Sequence, residues 1–67
     1  MSTTVGEEYP KQQARCREVL ACYRQIGSPG MFGALVIENV LRRADEAMAS
    51  GDIVAILRSF EEMKNVE

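Results

Sequence analysis

The chain has 67 residues, a formal net charge of −2 and no histidine. A chain of this length forms one domain at most and buries only about 60% of its unfolded surface, so its single core is marginal without a disulfide, a metal or a second subunit. Two cysteines without histidine cannot make a structural zinc site, and the acidic balance attracts neither nucleic acid nor an anionic membrane surface. Oligomerisation is therefore the expected source of additional stability.

The N-terminal segment, residues 1–8, is small, polar and acidic, which predicts a disordered tail before a single helical domain over residues 9–67. The first helix is predicted over about residues 10–26, because Pro10 is tolerated in a first turn and Gly27 is a suitable end. Its apolar stripe is about 120° wide, which is typical of a helix packed on one side. The stripe consists of Gln12, Cys16, Val19, Leu20, Tyr23 and Ile26.

The basic residues of helix 1 lie off this stripe. The helix contains four basic residues and one acidic residue, Glu18, and so has a charge of +3. The basic residues are Lys11, Arg15, Arg17 and Arg24. One interpretation is that these charges are solvated or pair with the other helices, since surface charges contribute little individually. The alternative is that Arg15, Arg17 and Arg24 bind an acidic partner or phosphate.

The second helix is predicted over residues 29–50, with Ser28-Pro29 as its start signal and Gly51 as its end. The short link after helix 1 favours an antiparallel hairpin. The apolar arc of this helix is about 200° wide, which exceeds what one neighbour covers. We therefore expect it to contact two elements of its own chain or a second copy of the protein. Its predicted core and self-association residues are Phe32, Val36, Ile37, Val40, Leu41, Ala44 and Met48.

Four residues at the start of helix 2 do not follow a simple core pattern. Met31 and Leu35 lie on the polar side, four residues apart, and are either ordinary exposed apolar residues or a small contact patch for a partner. Gly30 and Gly33 weaken the first turn by up to about 1 kcal/mol each relative to alanine. Close approach of helix 1 across Gly33 is the simplest reason for them, and an anion site is the less favoured one.

The third helix is predicted over about residues 52–65, with Asp52 as its N-cap. The C-terminal residues 65–67 are expected to fray. The fold class is therefore all-α, with a helix 1–helix 2 hairpin, a shorter helix 3 and completion by oligomerisation, a dimer being favoured. The residues predicted to face inward from helix 3 are Ile53, Val54, Ile56, Leu57, Phe60 and Met63.

No catalytic, cofactor-binding or metal site is predicted, and we do not expect an enzyme. Histidine, the usual general base near neutral pH, is missing, and the adjacent Glu61 and Glu62 point about 100° apart. Cys16 and Cys22 are too far apart on one helix to form a disulfide, so Cys16 is expected in the core and Cys22 near the surface, both reduced. Because the N-terminus has no apolar segment and no apolar run reaches about 20 residues, we expect a cytoplasmic protein without a membrane span.

Short matches spread over the chain carry a family resemblance. They are Tyr9-Pro10-Lys11-Gln12-Gln13, Cys16-Arg17, Ile26-Gly27, Phe32-Gly33, Ile37-Glu38, Val40-Leu41, Arg43-Ala44-Asp45, Gly51-Asp52 and Glu61 to Lys64. On these residues the chain resembles a group of small proteins encoded by tailed phages and bacterial prophages, over nearly all its length beyond the tail. The resemblance implies a bacterial host cytoplasm and a phage-related role, and it transfers no functional residue.

The leading hypothesis is a small helical protein that self-associates and binds or modulates another protein, of the host or of the phage. The alternative is a nucleic-acid-binding accessory or regulatory protein that uses basic helix 1. The starts of helices 2 and 3 disfavour it, because neither offers a basic or amide side chain to a major groove.

Overall fold

The computed structural model describes residues 4–67, and it contains three α-helices in that range. They are α1 (Val5–Ile26), α2 (Met31–Ser50) and α3 (Ile53–Lys64), and a 3-10 turn, Ser28–Gly30, precedes α2. No strand occurs within these residues, so the all-α prediction is confirmed. Contacts between α1 and α2 join Tyr23 to Gly33 at one end and Tyr9 to Ala44 at the other, which confirms the antiparallel hairpin.

Helix α1 begins five residues earlier than predicted. Thr4 is its N-cap, and the Thr4 side chain accepts a hydrogen bond from the Glu7 amide at 3.2 Å. Thr4 and Glu7 have the spacing of a capping box, and acidic residues in a first turn are favourable beside the helix N-terminus. The predicted disordered tail is therefore wrong for residues 5–8, and its first three residues lie outside the described range. Pro10 lies inside the helix, where it leaves the carbonyl of exposed Gly6 without a helical donor.

The predicted helix ends are confirmed, whereas the predicted start of α2 is displaced. Gly27 and Gly51 end α1 and α2 with φ of 83° and 71°, a backbone region that favours glycine. Ser28 is the first residue of the 3-10 turn rather than a cap, and α2 itself begins at Met31 without a side-chain cap.

Gly33 marks a close approach of α1 to α2, as predicted, and Gly30 marks a second one. A Cβ at Gly33 would lie 2.6 Å from Cε1 of Tyr23, and a Cβ at Gly30 would overlap the carbonyl oxygen of Tyr23. Packing of the helices therefore offsets the cost of the two glycines. At Gly30 a larger residue would meet backbone, whereas at Gly33 it would displace the Tyr23 ring.

Helix α3 runs parallel to α1 and ends in an anchored segment. Asp52 accepts hydrogen bonds from the amides of Val54 and Ala55, which confirms its role as N-cap. The prediction that residues 65–67 fray is wrong, because Val66 is buried. Its carbonyl accepts a hydrogen bond from Arg15 at 2.8 Å, and the Glu67 carbonyl accepts one from Tyr23 at 3.0 Å.

The core lies where α1, α2 and α3 meet, and the Cα trace measures 38 × 27 × 15 Å. Packed helices lie about 8–10 Å apart, so a Cα thickness of 15 Å corresponds to two layers of helix. With only two layers, one side of each helix stays uncovered. Of the residues predicted for the α2 core, Ile37, Val40 and Ala44 are buried and Leu41 is partly buried. The other buried residues of the core cluster are Tyr9, Cys16, Leu20, Ala34, Met63 and Val66.

Several residues predicted for the core or for self-association are exposed in the single chain. Phe32, Val36 and Met48 of α2 are exposed, because α1 and α3 cover only the central part of its apolar arc. Residues predicted to face inward from the other two helices are also exposed, because they lie at the edges of the apolar stripes. They are Ile26, Ile53, Val54 and Leu57.

None of the helices in residues 4–67 is long and apolar enough to cross a membrane.

Candidate functional site

An exposed apolar surface lies along one side of the N-terminal half of α2. It consists of Ile26, Met31, Phe32, Leu35 and Val36, and we refer to it as the α2 patch. Phe32 is 79% exposed and is the most exposed large apolar side chain of the described residues. Contiguous exposed apolar surfaces of this kind mark interaction sites more often than single exposed residues do.

The helical repeat explains why these residues form one surface. At about 100° per residue, Met31, Leu35, Phe32 and Val36 fall within about 140° of α2. The tight turn at Gly30 adds Ile26, whose Cβ lies 3.2 Å from the Cβ position of Gly30. The two residues that break the polar face, Met31 and Leu35, therefore adjoin the uncovered edge of the wide apolar arc.

The α2 patch is flanked by a groove and by ion pairs. The groove, of about 490 Å³, lies between Phe32 and Val36 on one side and Val66 and Glu67 on the other. At its far end Arg43 makes a two-pronged ion pair with Glu62, with both N–O distances at 3.1 Å. An apolar centre with a charged rim is the ordinary composition of a protein–protein interface.

A second apolar surface lies at the opposite end of α2. It is a groove of about 280 Å³ between the start of α1, the end of α2 and the start of α3, and we refer to it as the terminal groove. Met48 is 48% exposed and Ile53 70% exposed in this groove. Its apolar walls are formed by Val5, Tyr9, Met48, Ile53, Ile56 and Leu57.

The three arginines predicted to bind a partner do not form one free basic surface. Arg15 is partly buried, and its guanidinium donates hydrogen bonds to the carbonyls of Met63 and Val66 at the end of α3. Arg24 pairs with Glu38 at 3.4 Å. Arg17 is exposed, and no ion pair involves it within residues 4–67. Arg15 is therefore a structural residue, and the geometry offers little to phosphate.

The two cysteines lie where they were predicted. Cys16 is fully buried and Cys22 is exposed, and both are free thiols. Burial raises the pKa of the Cys16 thiol, although the nearby charges of Arg15 and Arg17 act in the opposite direction. In the part of the chain that the structure describes, no group of three cysteine or acidic side chains is arranged to hold a metal ion.

A buried polar cluster was not predicted. The Tyr9 hydroxyl donates to the Ala44 carbonyl at 2.9 Å and shares a 2.6 Å hydrogen bond with the hydroxyl of Ser59. The Tyr9 ring also stacks on Phe60, with ring centroids 6.1 Å apart. These contacts join the three helices, and all buried polar side chains of the described residues have partners. Tyr9 lies just before the predicted start of helix 1, so the apolar periodicity of that helix did not include it. The sequence pattern therefore did not predict this cluster.

Comparison of the chain with protein-family models, with curated proteins and with solved structures finds no match.

Proposed function

We propose that this protein is a small helical interaction protein that self-associates and binds another protein through the α2 patch. The observation that carries the proposal is the exposure of five large apolar side chains side by side, Ile26, Met31, Phe32, Leu35 and Val36, on a chain of only 67 residues.

Burial of these side chains favours association. Each of these side chains gains about 1.5–3 kcal/mol when it is moved from water into a packed interface. The surface is built on a helix and on a turn that Gly30 and Gly33 hold tightly, so little ordering cost opposes binding. A marginal single core gives such a chain a further gain from association, because binding of the folded state stabilises it.

The phage or prophage setting comes from the sequence resemblance alone. In that setting, a host or phage protein with an apolar surface and a charged rim would be the partner of the α2 patch. The cytoplasmic location belongs to the same proposal.

The test is solution mass by light scattering over a range of protein concentrations. We expect the wild-type mass to rise above that of the 7.5 kDa monomer. The double variant Phe32→Ser/Leu35→Ser should associate at least about 30-fold more weakly, which is the effect of losing an interface hot spot.

A matched control is Ala49→Ser, which changes an exposed residue of the same helix outside the α2 patch. It should associate as the wild type does. A wild-type protein that stays monomeric at all concentrations would contradict self-association. Equal masses for the double variant and the wild type would show that another surface mediates it.

A further inference from the structure

The α2 patch and the terminal groove lie at opposite ends and on opposite sides of α2. Phe32 and Met48 are sixteen residues apart, which separates them by about 24 Å along the helix. They also differ by about 160° around it. A twofold dimer that pairs the α2 patch with the α2 patch leaves both terminal grooves uncovered, and one that pairs groove with groove leaves both patches uncovered.

The two surfaces have complementary shapes. Phe32 projects from the α2 patch with 79% of its surface exposed. The terminal groove is a concave apolar space of about 280 Å³. An apolar cavity of about 150 Å³ is large enough to hold a benzene ring. The terminal groove therefore has room for the phenyl ring of Phe32 and for part of a neighbouring side chain.

The two ends also differ in charge. Beside the α2 patch the charges balance, because Arg24 pairs with Glu38 and Arg43 pairs with Glu62. Residues 4–12 and 44–58, which surround the terminal groove, contain two basic and five acidic residues and have a charge of −3. Contact between two terminal grooves therefore brings like charges together, whereas contact between a terminal groove and an α2 patch does not.

We infer that copies of the chain associate head to tail, with Phe32 of one copy seated in the terminal groove of the next. The inference rests on the proposed self-association and specifies its geometry. Every copy then covers both of its apolar surfaces, except at the ends of an open chain, where one α2 patch stays free to bind another protein. Because the two surfaces face nearly opposite directions, one neighbouring copy cannot cover both of them. The assembly is therefore a ring or a chain of more than two copies.

The experiment compares a patch variant, Phe32→Ser/Leu35→Ser, with a groove variant, Ile53→Ser/Leu57→Ser. All four residues are between 46% and 79% exposed, so neither variant disturbs the buried core. Circular dichroism verifies that both are folded. Sedimentation velocity is then measured for the wild type, for each variant alone and for an equimolar mixture.

Head-to-tail association predicts four results together. The wild type exceeds the mass of two copies, and each variant alone is monomeric, because each lacks one of the two unlike surfaces. The mixture forms a dimer and nothing larger, since the patch variant supplies an intact groove and the groove variant supplies an intact patch.

Other results separate the two proposals. A groove variant that associates as strongly as the wild type would overturn the head-to-tail geometry and leave self-association through the α2 patch in place. Two monomeric variants whose mixture is also monomeric would overturn the geometry in the same way. A monomeric wild type would overturn both proposals.

Discussion

The wide apolar arc of α2 has two halves with different surroundings. The buried half of the arc carries Val40, Ala44 and Ala47, which are 5%, 0% and 5% exposed because α1 and α3 pack against them. The exposed half of the arc carries Phe32 and Val36, which are 79% and 44% exposed because neither α1 nor α3 covers that edge of the arc. A hydrophobic pattern therefore identifies the surface that avoids water, and the neighbouring elements decide whether the single chain buries it.

The largest effect should separate these halves directly. Val40→Asp places a charge in the buried half without a partner, which should cost more than about 4 kcal/mol and abolish folding in a domain this small. Val36→Asp places the same charge four residues earlier on the exposed half, where water solvates it. It should cost less than about 1 kcal/mol, mostly from helix propensity.

Helicity by circular dichroism and urea denaturation check this pair. The expected outcome is a helical, cooperatively unfolding Val36→Asp protein that associates weakly, beside an unfolded Val40→Asp protein. Full helicity in Val40→Asp would show that the buried half of α2 is assigned wrongly.

The next effect concerns the end of α3, which covers the buried half. Arg15 donates charge-assisted hydrogen bonds to the carbonyls of Met63 and Val66, so Arg15→Ala should lower the free energy of unfolding by about 1.5–3 kcal/mol. Arg17 lies two residues away, is exposed and provides the matched control. Arg17→Ala should change stability by less than about 0.5 kcal/mol.

Urea denaturation of both variants measures the difference. Equal losses for Arg15→Ala and Arg17→Ala would mean that the charge of α1, rather than the anchoring of α3, matters for stability.

These two pairs also show what the sequence could and could not predict. Helix number, the antiparallel hairpin and the glycine ends follow from local rules, and Gly27, Gly51 and Asp52 act as those rules require. The capping box of Thr4 and Glu7 was available in the sequence, but Pro10 gave a competing start signal that the helix tolerates in its interior. The error at α1 arose because the prediction used only the later of two local start signals.

The errors in the core and at Arg15 have a different cause. Whether Phe32 is covered depends on where α3 ends, and whether Arg15 is free depends on which carbonyls lie across from it. Both are properties of packing between helices distant in sequence, and no periodicity reports them. For the candidate surface, Met31 and Leu35 were identified as pattern breakers. That Phe32 and Val36 stay exposed beside them depends on the position of α3, and the addition of Ile26 depends on the turn at Gly30.

A smaller effect should come from the tyrosine that joins the buried half to the other helices. Tyr9→Phe removes a buried hydroxyl that bonds the Ala44 carbonyl and Ser59. It should cost about 1–2 kcal/mol because both hydrogen bonds are lost, although the Ser59 hydroxyl keeps its bond to the Ile56 carbonyl. Tyr23→Phe is the matched change near the exposed half, where the hydroxyl bonds the Glu67 carbonyl in solvent. Its cost should be below about 0.5 kcal/mol.

Thermal and urea unfolding of the two phenylalanine variants measure these two losses in the free energy of unfolding. If Tyr23→Phe is the more destabilising change, the polar cluster around Tyr9 is not a main connection between the helices.

The smallest effect concerns the Cys16 thiol, which is buried between α1 and α3, with its Sγ 3.5 Å from the Met63 carbonyl oxygen. Because burial raises the pKa of this thiol, the unfolded chain loses the proton at a lower pH than the folded chain does. Its contribution to stability is therefore complete below the unfolded pKa and declines as the pH rises toward the folded pKa. Above about pH 8.5 the free energy of unfolding should fall more steeply with pH in the wild type than in Cys16→Ala.

Exposed Cys22 is the control, and Cys22→Ala should keep the wild-type slope. The packing that Cys16→Ala loses at every pH does not enter a comparison of slopes. Equal slopes would mean that ionisation of the Cys16 thiol is not linked to folding.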